Sequence, residues 1–297
     1  MNVIPFSQWA DTATTMHMIL QMMGKVKLVQ MHSQPEWNHA LLYPTPSGFT
    51  TGLIPHGSNS FDICYDVHNS SVSARCTTGL SASFPVTGTK SVSDYYAVFT
   101  TMLDHIGHST KINKTPQEMS ITTPFDKQAD AHPYDQTAAR EYFDTAIFAH
   151  NALLRFASPF RNKKILPSLF WGTFDMTTVL FSGVEKPFPG KGLIEQVAFD
   201  EQFVEFGYWP GDPGADDPSL FVLPYPFLEK DLTGAKVSPK EAFYSTAKKE
   251  FFLPLKDIAH YSDPSDIVYS FCMDTFDVVA REENWPSVEW FTKPLLC

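Results

Sequence analysis

A row of three polar side chains near the start of the chain has residue types and spacing suited to chemistry. His17, Gln21 and Lys25 are four residues apart, which places them on one face of a helix. An imidazole can transfer a proton near neutral pH, and an amide and an ammonium can orient a ligand beside it. The row predicts a pocket wall with a catalytic His17 and ligand-binding Gln21 and Lys25. A solvated face, or one bonded to neighbouring structure, is the structural alternative.

Carboxylates among aromatic residues form a second set of candidates. In the segment FWGTFD, residues 170–175, a strand would place Trp171 and Asp175 on one face. Desolvation beside aromatic rings raises the pKa of a carboxyl group and suits it to acid–base work. Glu205 alternates with apolar residues in a later predicted strand. If the two strands are neighbours, Asp175 and Glu205 form a catalytic acid–base pair; an ion pair or an exposed face is the alternative.

Aromatic side chains around these carboxylates predict the walls of a ligand pocket. The candidates are Trp171, Phe174, Tyr208 and Trp209. His39 is a further ligand-binding candidate, because the alternation over residues 37–43 predicts a strand on which it shares a face with aromatic residues. A histidine in that setting is also commonly a hydrogen-bonded core residue, so both interpretations stand.

The familiar catalytic signatures are mostly absent. The sequence contains no GxGxxG, GxxxxGK[ST], HExxH or GxSxG pattern, which disfavours nucleotide-fold enzymes, zincins and α/β-hydrolases. Cys64, Cys76, Cys272 and Cys297 form no CxxC pair, so a zinc ribbon is excluded and reduced thiols are expected. No metal ligand and no cofactor is assigned, although a histidine joined to the two carboxylates would suit a metal.

Composition excludes further classes. Of 297 residues, 43% are apolar and 19% are charged, so global disorder is excluded. The net charge of −11 gives no electrostatic footprint for nucleic acid or an anionic membrane. No targeting segment and no apolar run of about 20 residues is present, so we expect a cytoplasmic protein. The expected partner is a small-molecule ligand, and the oligomeric state is not predicted.

The hydrophobic pattern predicts an α+β fold with two helix–antiparallel meander–helix halves. Helices are predicted over residues 8–29, with Ser7 as the N-cap, and over 92–106, 136–156 and 264–282. Strands are predicted over 37–43, 49–54, 61–68, 72–77 and 80–86, and over 169–181, 194–209, 220–225 and 251–253. Residues 113–133 lack periodicity, so the expected parts are 1–115, a crossing loop 116–133, and 134–297; one compact domain is the alternative. The repeated order raises an internal duplication as a further alternative.

The residues that suggest chemistry also resemble a bacterial family of uncharacterised proteins. The pattern is WxDTxxTxH, from Trp9 to His17, followed by FWGxFD at 170–175 and WPG at 209–211. The resemblance extends over nearly the whole chain. Because the family is a domain of unknown function, the resemblance implies no activity, substrate or cofactor. In that family a histidine often precedes FWG and another precedes WPG, where this chain has residues such as Ser168 and Glu201.

These features predict an enzyme that acts on a small organic molecule by carboxylate and histidine acid–base chemistry in an aromatic-lined pocket. A non-catalytic small-molecule-binding protein is one alternative. A dimerising interaction protein with exposed aromatic side chains is another. The enzyme hypothesis requires the carboxylates and histidines to converge, which residues so far apart in the chain do not guarantee.

Overall fold

A computed structural model describes residues 2–295 and shows an α+β protein with helices and two antiparallel sheets. The helices are α1 Ala10–Gln30, α2 Val92–His105, α3 Gln136–Ala157, α4 Leu193–Ala198, α5 Leu255–Ile258, α6 Pro264–Glu282 and α7 Val288–Phe291. The strands are β1 Tyr43–Thr45, β2 Gly48–Thr50, β3 Ile54–His56, β4 Asn59–Asp66, β5 Ser71–Cys76, β6 Ser81–Pro85, β7 Lys164–Phe170, β8 Asp175–Glu185, β9 Glu201–Trp209, β10 Ser219–Tyr225, β11 Phe243–Ser245 and β12 Glu250–Pro254. None of the helices in this part of the chain is long and apolar enough to cross a membrane.

The chain divides into two compact units. The N-unit comprises residues 6–144 together with 169–174. The C-unit comprises the described residues of 1–5, 145–168 and 175–297. The expected parts 1–115, 116–133 and 134–297, and the alternative of an internal duplication, stay predictions.

The N-unit contains a sheet in the order β1-β2-β4-β5-β6, with β3 also paired to β4. Its inner face is apolar and buried, with Phe61 and Ile63 on β4 and Val72 and Ala74 on β5. Helices α1 and α2 contact strands of this sheet. The start of α2 is fixed by a capping box, in which Ser91 and Asp94 each accept a hydrogen bond from the other's backbone N–H.

Helix α1 is buried on nearly all sides, and only its two ends and Thr14 escape full burial. The expected N-cap at Ser7 is wrong, because Ser7 lies in a short 3₁₀ helix, Phe6–Gln8, and Trp9 occupies the N-cap position. A buried helix must satisfy its polar side chains internally, since an unpaired buried polar group costs about 1–3 kcal/mol. The His17, Gln21 and Lys25 row therefore has to find partners inside the N-unit.

The C-unit contains a sheet in the order β11-β12-β10-β9-β8-β7. One face is the core face, and it packs on α6 and on the C-terminal end of α3, where Phe156 lies 4.6 Å from Phe206 between ring centroids. Helix α6 begins as the sequence predicts, with Pro264 at its first position and Asp263 accepting a hydrogen bond from the Asp266 N–H. We call the opposite face of this sheet the outer face.

Three predicted strands are corrected by the structure. Residues 37–43 do not form one strand, because Pro35–Ala40 is a 3₁₀ helix in which Glu36 and Trp37 have φ of 50° and 53°. Positive φ values are incompatible with an extended strand. Seven alternating residues satisfy a strand pattern by chance more easily than a long segment does.

The segment 169–181 breaks into β7 and β8 around a turn at 171–174. Phe174 has a φ of 66°, so Trp171 and Asp175 do not share the face of one strand. The segment 194–209 is likewise not one strand, because its start belongs to α4 and only its later part forms β9.

Candidate functional site

The predicted row on α1 is held by backbone groups of two loops in the N-unit. His17 Nε2 lies 2.9 Å from the Trp171 carbonyl oxygen and 3.0 Å from that of Gly172. Carbonyl oxygens only accept hydrogen bonds, so Nε2 carries the proton and donates it. The imidazole also stacks on Phe174, with 4.9 Å between ring centroids. His17 therefore fixes the turn at 171–174, and Nδ1 is the nitrogen left for any proton transfer.

Gln21 and Lys25 bind a second loop in the same manner. The Gln21 side-chain amide donates to the Gln117 carbonyl at 2.8 Å and accepts from the Gln117 N–H at 2.8 Å. Lys25 Nζ donates to the Thr115 carbonyl at 2.9 Å. These two side chains tie residues 115–117 to α1.

Trp171 packs directly on α1 beside this row. A Cβ at Gly24 would lie 2.0 Å from the Trp171 ring, so only glycine allows the indole to approach the helix this closely. The indole Nε1 donates to the Ala40 carbonyl at 2.9 Å, and the Lys25 Nζ lies 5.4 Å from the ring centroid. Cation–π contact and complete burial of the ring make Trp171 a core residue of the N-unit.

The charges of the row respond to burial. Burial lowers the pKa of His17 to about 4, against the opposing effect of its bonds to the two carbonyls. Burial also lowers the pKa of Lys25 to about 8, while the negative charge of Glu118 raises it. His17 is thus a neutral imidazole at physiological pH. The row can anchor loops in this state, and a catalytic role for His17 stays a prediction.

Among the described residues, His39 shares no hydrogen-bond partner with the His17, Gln21 and Lys25 row. It belongs to the 3₁₀ helix Pro35–Ala40, and its Nδ1 accepts a hydrogen bond from the Gln34 N–H at 3.1 Å. Its ring lies 5.8 Å from that of Trp37. Burial lowers the pKa of His39, and the charge of Lys27 contributes in the same direction. Its ligand-binding role stays a prediction.

The outer face of the C-unit sheet carries both predicted carboxylates, at separate positions. Strands β8 and β9 are neighbours, and Val179 pairs with Glu205 while Met176 pairs with Tyr208. Asp175 therefore falls opposite Trp209 and on the same face as Glu205, because side chains alternate along a strand. Four residues separate the two positions along the strand, which is about 13 Å of backbone. Tyr208 points to the core face instead, where burial raises its pKa well above the usual value.

A third carboxylate, Glu250, lies on this face and was not among the sequence candidates. Val222 pairs with Phe251 and Leu223 pairs with Glu205, so Glu250, Leu223 and Glu205 form one row across β12, β10 and β9. Burial raises the pKa of Glu250 to about 7; the charge of Lys248 lowers it and that of Asp175 raises it further. Glu250 immediately precedes the predicted strand 251–253, and nothing else in the sequence singles it out.

Aromatic side chains cover part of this face. A Cβ at Gly207 would lie 2.3 Å from the Phe221 ring and 2.8 Å from the Thr177 methyl, so the ring lies across the glycine. The Lys248 ammonium lies 5.7 Å from the Trp209 ring centroid. Glu205, Glu250 and Trp209 keep part of their surface accessible, whereas Phe221 is buried.

A cluster of aromatic rings closes one end of the outer face. Phe181, Phe203 and Tyr225 pair across β8, β9 and β10, and Phe188 and Phe199 pack on them from the segment around α4. This cluster lies one row beyond Glu205. The outer face therefore combines an apolar end, a row with two carboxylates, and an aromatic floor leading to Asp175.

A family model matches residues 1–290, and its description is a family of unknown function, DUF5996. The chain belongs to this family. No curated protein and no solved structure gives a significant match to it. The family assignment confirms the resemblance drawn from the WxDTxxTxH, FWGxFD and WPG segments, and it carries no activity with it.

Neither a metal nor a disulfide is indicated in the part of this DUF5996 chain that the structure describes. No three His, Cys, Asp or Glu side chains there form a group that could hold a metal ion. Cys64, Cys76 and Cys272 are free thiols, and Cys297 lies outside the described residues. The alternative of a metal held by a histidine and the two carboxylates finds no donor set among residues 2–295.

Proposed function

We propose that the protein is an enzyme that acts on a small organic molecule by carboxylate acid–base chemistry on the outer face of the C-unit sheet. The observation that carries the proposal is the register, which puts Glu250, Glu205 and Asp175 on one face of the same sheet. When carboxyl groups on one surface lie in different environments, their pKa values differ, so one group can act as the acid and another as the base.

The roles follow from the environments. Glu250 is the general acid, because its raised pKa of about 7 leaves a proton available near neutral pH. Asp175, whose negative charge helps to raise that pKa, and Glu205 are the candidates for the base. Proton transfer at a C–O or C–N bond is the chemistry that these groups support.

The walls define the class of substrate. Trp209 offers a partly exposed aromatic surface, and the partly accessible Glu205 and Glu250 offer hydrogen-bond acceptors on the same face. A small molecule with an apolar or planar body and several hydroxyl or amino groups fits this combination. Three free cysteines in the described residues support a cytoplasmic location, where thiols stay reduced.

The test is a turnover assay with a panel of p-nitrophenyl esters and p-nitrophenyl glycosides. We expect the wild type to release p-nitrophenol from at least one of them, and Glu250→Gln and Asp175→Asn to lower kcat/KM by about 10²–10⁴-fold. Glu289→Gln, an exposed glutamate on α7, is the matched control. Melting temperatures of all variants show whether the fold is intact.

Two results would overturn the enzyme proposal. One is turnover that Glu250→Gln and Asp175→Asn leave unchanged, which would move the chemistry elsewhere. The other is that some compounds of the panel bind saturably while no compound of the panel yields product. That second result would favour the alternative of a non-catalytic small-molecule-binding protein.

A further inference from the structure

A thiol and an imidazole are hydrogen-bonded in the N-unit, away from the row on α1. Cys76 Sγ, at the end of β5, lies 3.1 Å from His108 Nε2, just after the end of α2. Gly107, with a φ of 78°, turns the chain there, and the His108 N–H donates to the Leu103 carbonyl at 2.9 Å. The backbone of the helix end thus places the imidazole against the sulfur.

The surroundings hold the His108 ring rigidly. Phe61 stacks on it with 4.5 Å between centroids and 12° between planes, and the His56 ring meets it edge-on at 4.6 Å. His108 is only 4% exposed. Its Nδ1 is buried and has no hydrogen-bond partner among the described residues. One ring nitrogen is therefore committed to the thiol, and the other is buried without a hydrogen-bond partner among the described residues.

We propose that Cys76 and His108 form a reactive thiol site that takes small peroxides, with His108 as the base that removes the thiol proton. Burial lowers the pKa of His108, so its ring is neutral and its Nε2 is ready to accept. Hydrogen bonds from the Thr78 side chain and backbone, and then from those of Thr77, lower the pKa of Cys76. Reactive cysteines are activated in two ways: an adjacent base removes the thiol proton, and hydrogen bonds stabilise the thiolate that results.

The site lies next to the surface. Cys76 retains 8% exposure, and the turn that follows it is exposed, with Leu80 at 48%. The exposed turn is the side from which a small peroxide would reach the sulfur.

The reaction balances without further components. The Cys76 thiol gives its proton to His108 Nε2, and the sulfur attacks one oxygen of the peroxide. The O–O bond breaks, and the departing hydroxide takes the proton from the imidazolium and leaves as water. The sulfur is oxidised by two electrons to a sulfenic acid, and the peroxide is reduced to water.

The other described thiols do not have this arrangement. Cys64 pairs in register with Ser73, three residues from Cys76 along β5, so the two side chains point to opposite faces of the sheet. Burial raises the pKa of Cys64 and also that of Cys272. Both are therefore internal references for an ordinary unreactive thiol in the same molecule.

The test is the rate at which each thiol reacts in the native protein. Hydrogen peroxide is added, sulfenic acid is trapped with dimedone, and the labelled peptides are quantified by mass spectrometry. We expect Cys76 to react at least about tenfold faster than Cys64 or Cys272, with a half-maximal pH for iodoacetamide alkylation below the ~8.5 of a free thiol. His108→Asn should slow both reactions about tenfold, and His105→Asn, in the exposed last turn of α2, should not.

The proposal fails if Cys76 reacts no faster than Cys64 and Cys272, or if His108→Asn leaves its rate unchanged. It also fails if the half-maximal pH of Cys76 in the wild type equals that of the unfolded chain. This last measurement needs no variant, so it remains decisive should His108→Asn not fold. The outcome is independent of the carboxylate proposal, because Glu250→Gln should leave Cys76 reactivity unchanged.

Discussion

The ring of Phe221 lies across Gly207 on the outer face of the C-unit sheet. The two residues pair directly between β10 and β9. Any side chain at position 207 would occupy the space that the ring fills, since a Cβ there would lie 2.3 Å from it. The glycine therefore allows the ring to lie flat and to form the floor between Glu205 and Trp209.

Gly207→Ala is expected to destabilise the protein by about 1–3 kcal/mol, because the added methyl group overpacks a site that is already filled. Unfolding in urea measures the loss. Gly234→Ala is the matched control, since no atom lies within 4 Å of a Cβ built at that position. Equal stability of the two variants would show that the Phe221 ring does not need the glycine.

Glu250→Gln should change how stability depends on pH. The folded pKa of about 7 is above the usual 4.5, so the unfolded state ionises first as the pH rises and the folded state loses stability between pH 4.5 and 7. The variant lacks this loss. Relative to the wild type, it should gain on the order of 3 kcal/mol between pH 4 and pH 8. Urea unfolding at both values tests this, with Glu289→Gln as reference; a gap that is the same at both pH values contradicts it.

His17→Gln tests a pH dependence of the opposite sign, in which the free energy of unfolding decreases as the pH falls. The folded pKa of about 4 is below the usual 6.5, so the neutral ring contributes stability that is fully present above pH 6.5 and is lost as the pH falls towards 4. The wild type should lose about 2–3 kcal/mol more than the variant over that interval. Urea unfolding between pH 7 and 4 measures it, and the exposed His32→Gln is the control. Parallel curves for wild type and His17→Gln would mean that His17 titrates normally.

Gly24→Ala should be destabilising although alanine is the better helix former by about 1 kcal/mol. The new Cβ would lie 2.0 Å from the Trp171 ring, and the displacement of a buried indole outweighs the gain in helix propensity. Trp171→Phe in the Gly24→Ala background should recover part of the loss, because the smaller ring leaves room. A double-mutant cycle in urea gives the coupling; additive effects would refute direct contact.

The long helices and the meander were predictable because their patterns are local. Helix α3, predicted over 136–156, ends one residue later at Ala157, and α6 begins at Pro264 with the expected cap at Asp263. The alternation over 61–68 correctly predicted β4. In each of these cases the apolar period extends over enough residues to decide between helix and strand.

The errors occurred where distant residues decide the local conformation. The turn at 171–174 depends on Trp171 packing on Gly24 and on His17 binding the carbonyls, and these partners are about 150 residues away in the chain. The kinked 3₁₀ segment at 35–40 is broken by positive φ values at Glu36 and Trp37, which alternation does not encode. Tertiary contacts override a short pattern in both segments.

In the candidate site, too, local patterns were predictable and positions that depend on distant residues were not. Alternation could place Asp175 and Glu205 on strands, but that the two strands are neighbours was a condition of the acid–base hypothesis, and it is the register that shows it. Glu250 could not be placed, because its position beside them depends on β12 pairing with β10 and its raised pKa depends on burial. A carboxylate at the start of a short strand has no distinguishing feature in the sequence.

The bonds of the α1 row have a consequence for which parts of the loops are free to vary. The hydrogen bonds from this row to residues 115–117 and to the Trp171 and Gly172 carbonyls all have main-chain atoms as partners. Every amino acid supplies the same carbonyl, so the side chains at Thr115 and Gln117 can be exchanged without removing an acceptor. The helix thus specifies the path of the two loops while leaving their surface chemistry open to change. A designer can rewrite the loop side chains at these two positions and keep the docking intact, provided that His17, Gln21 and Lys25 are retained.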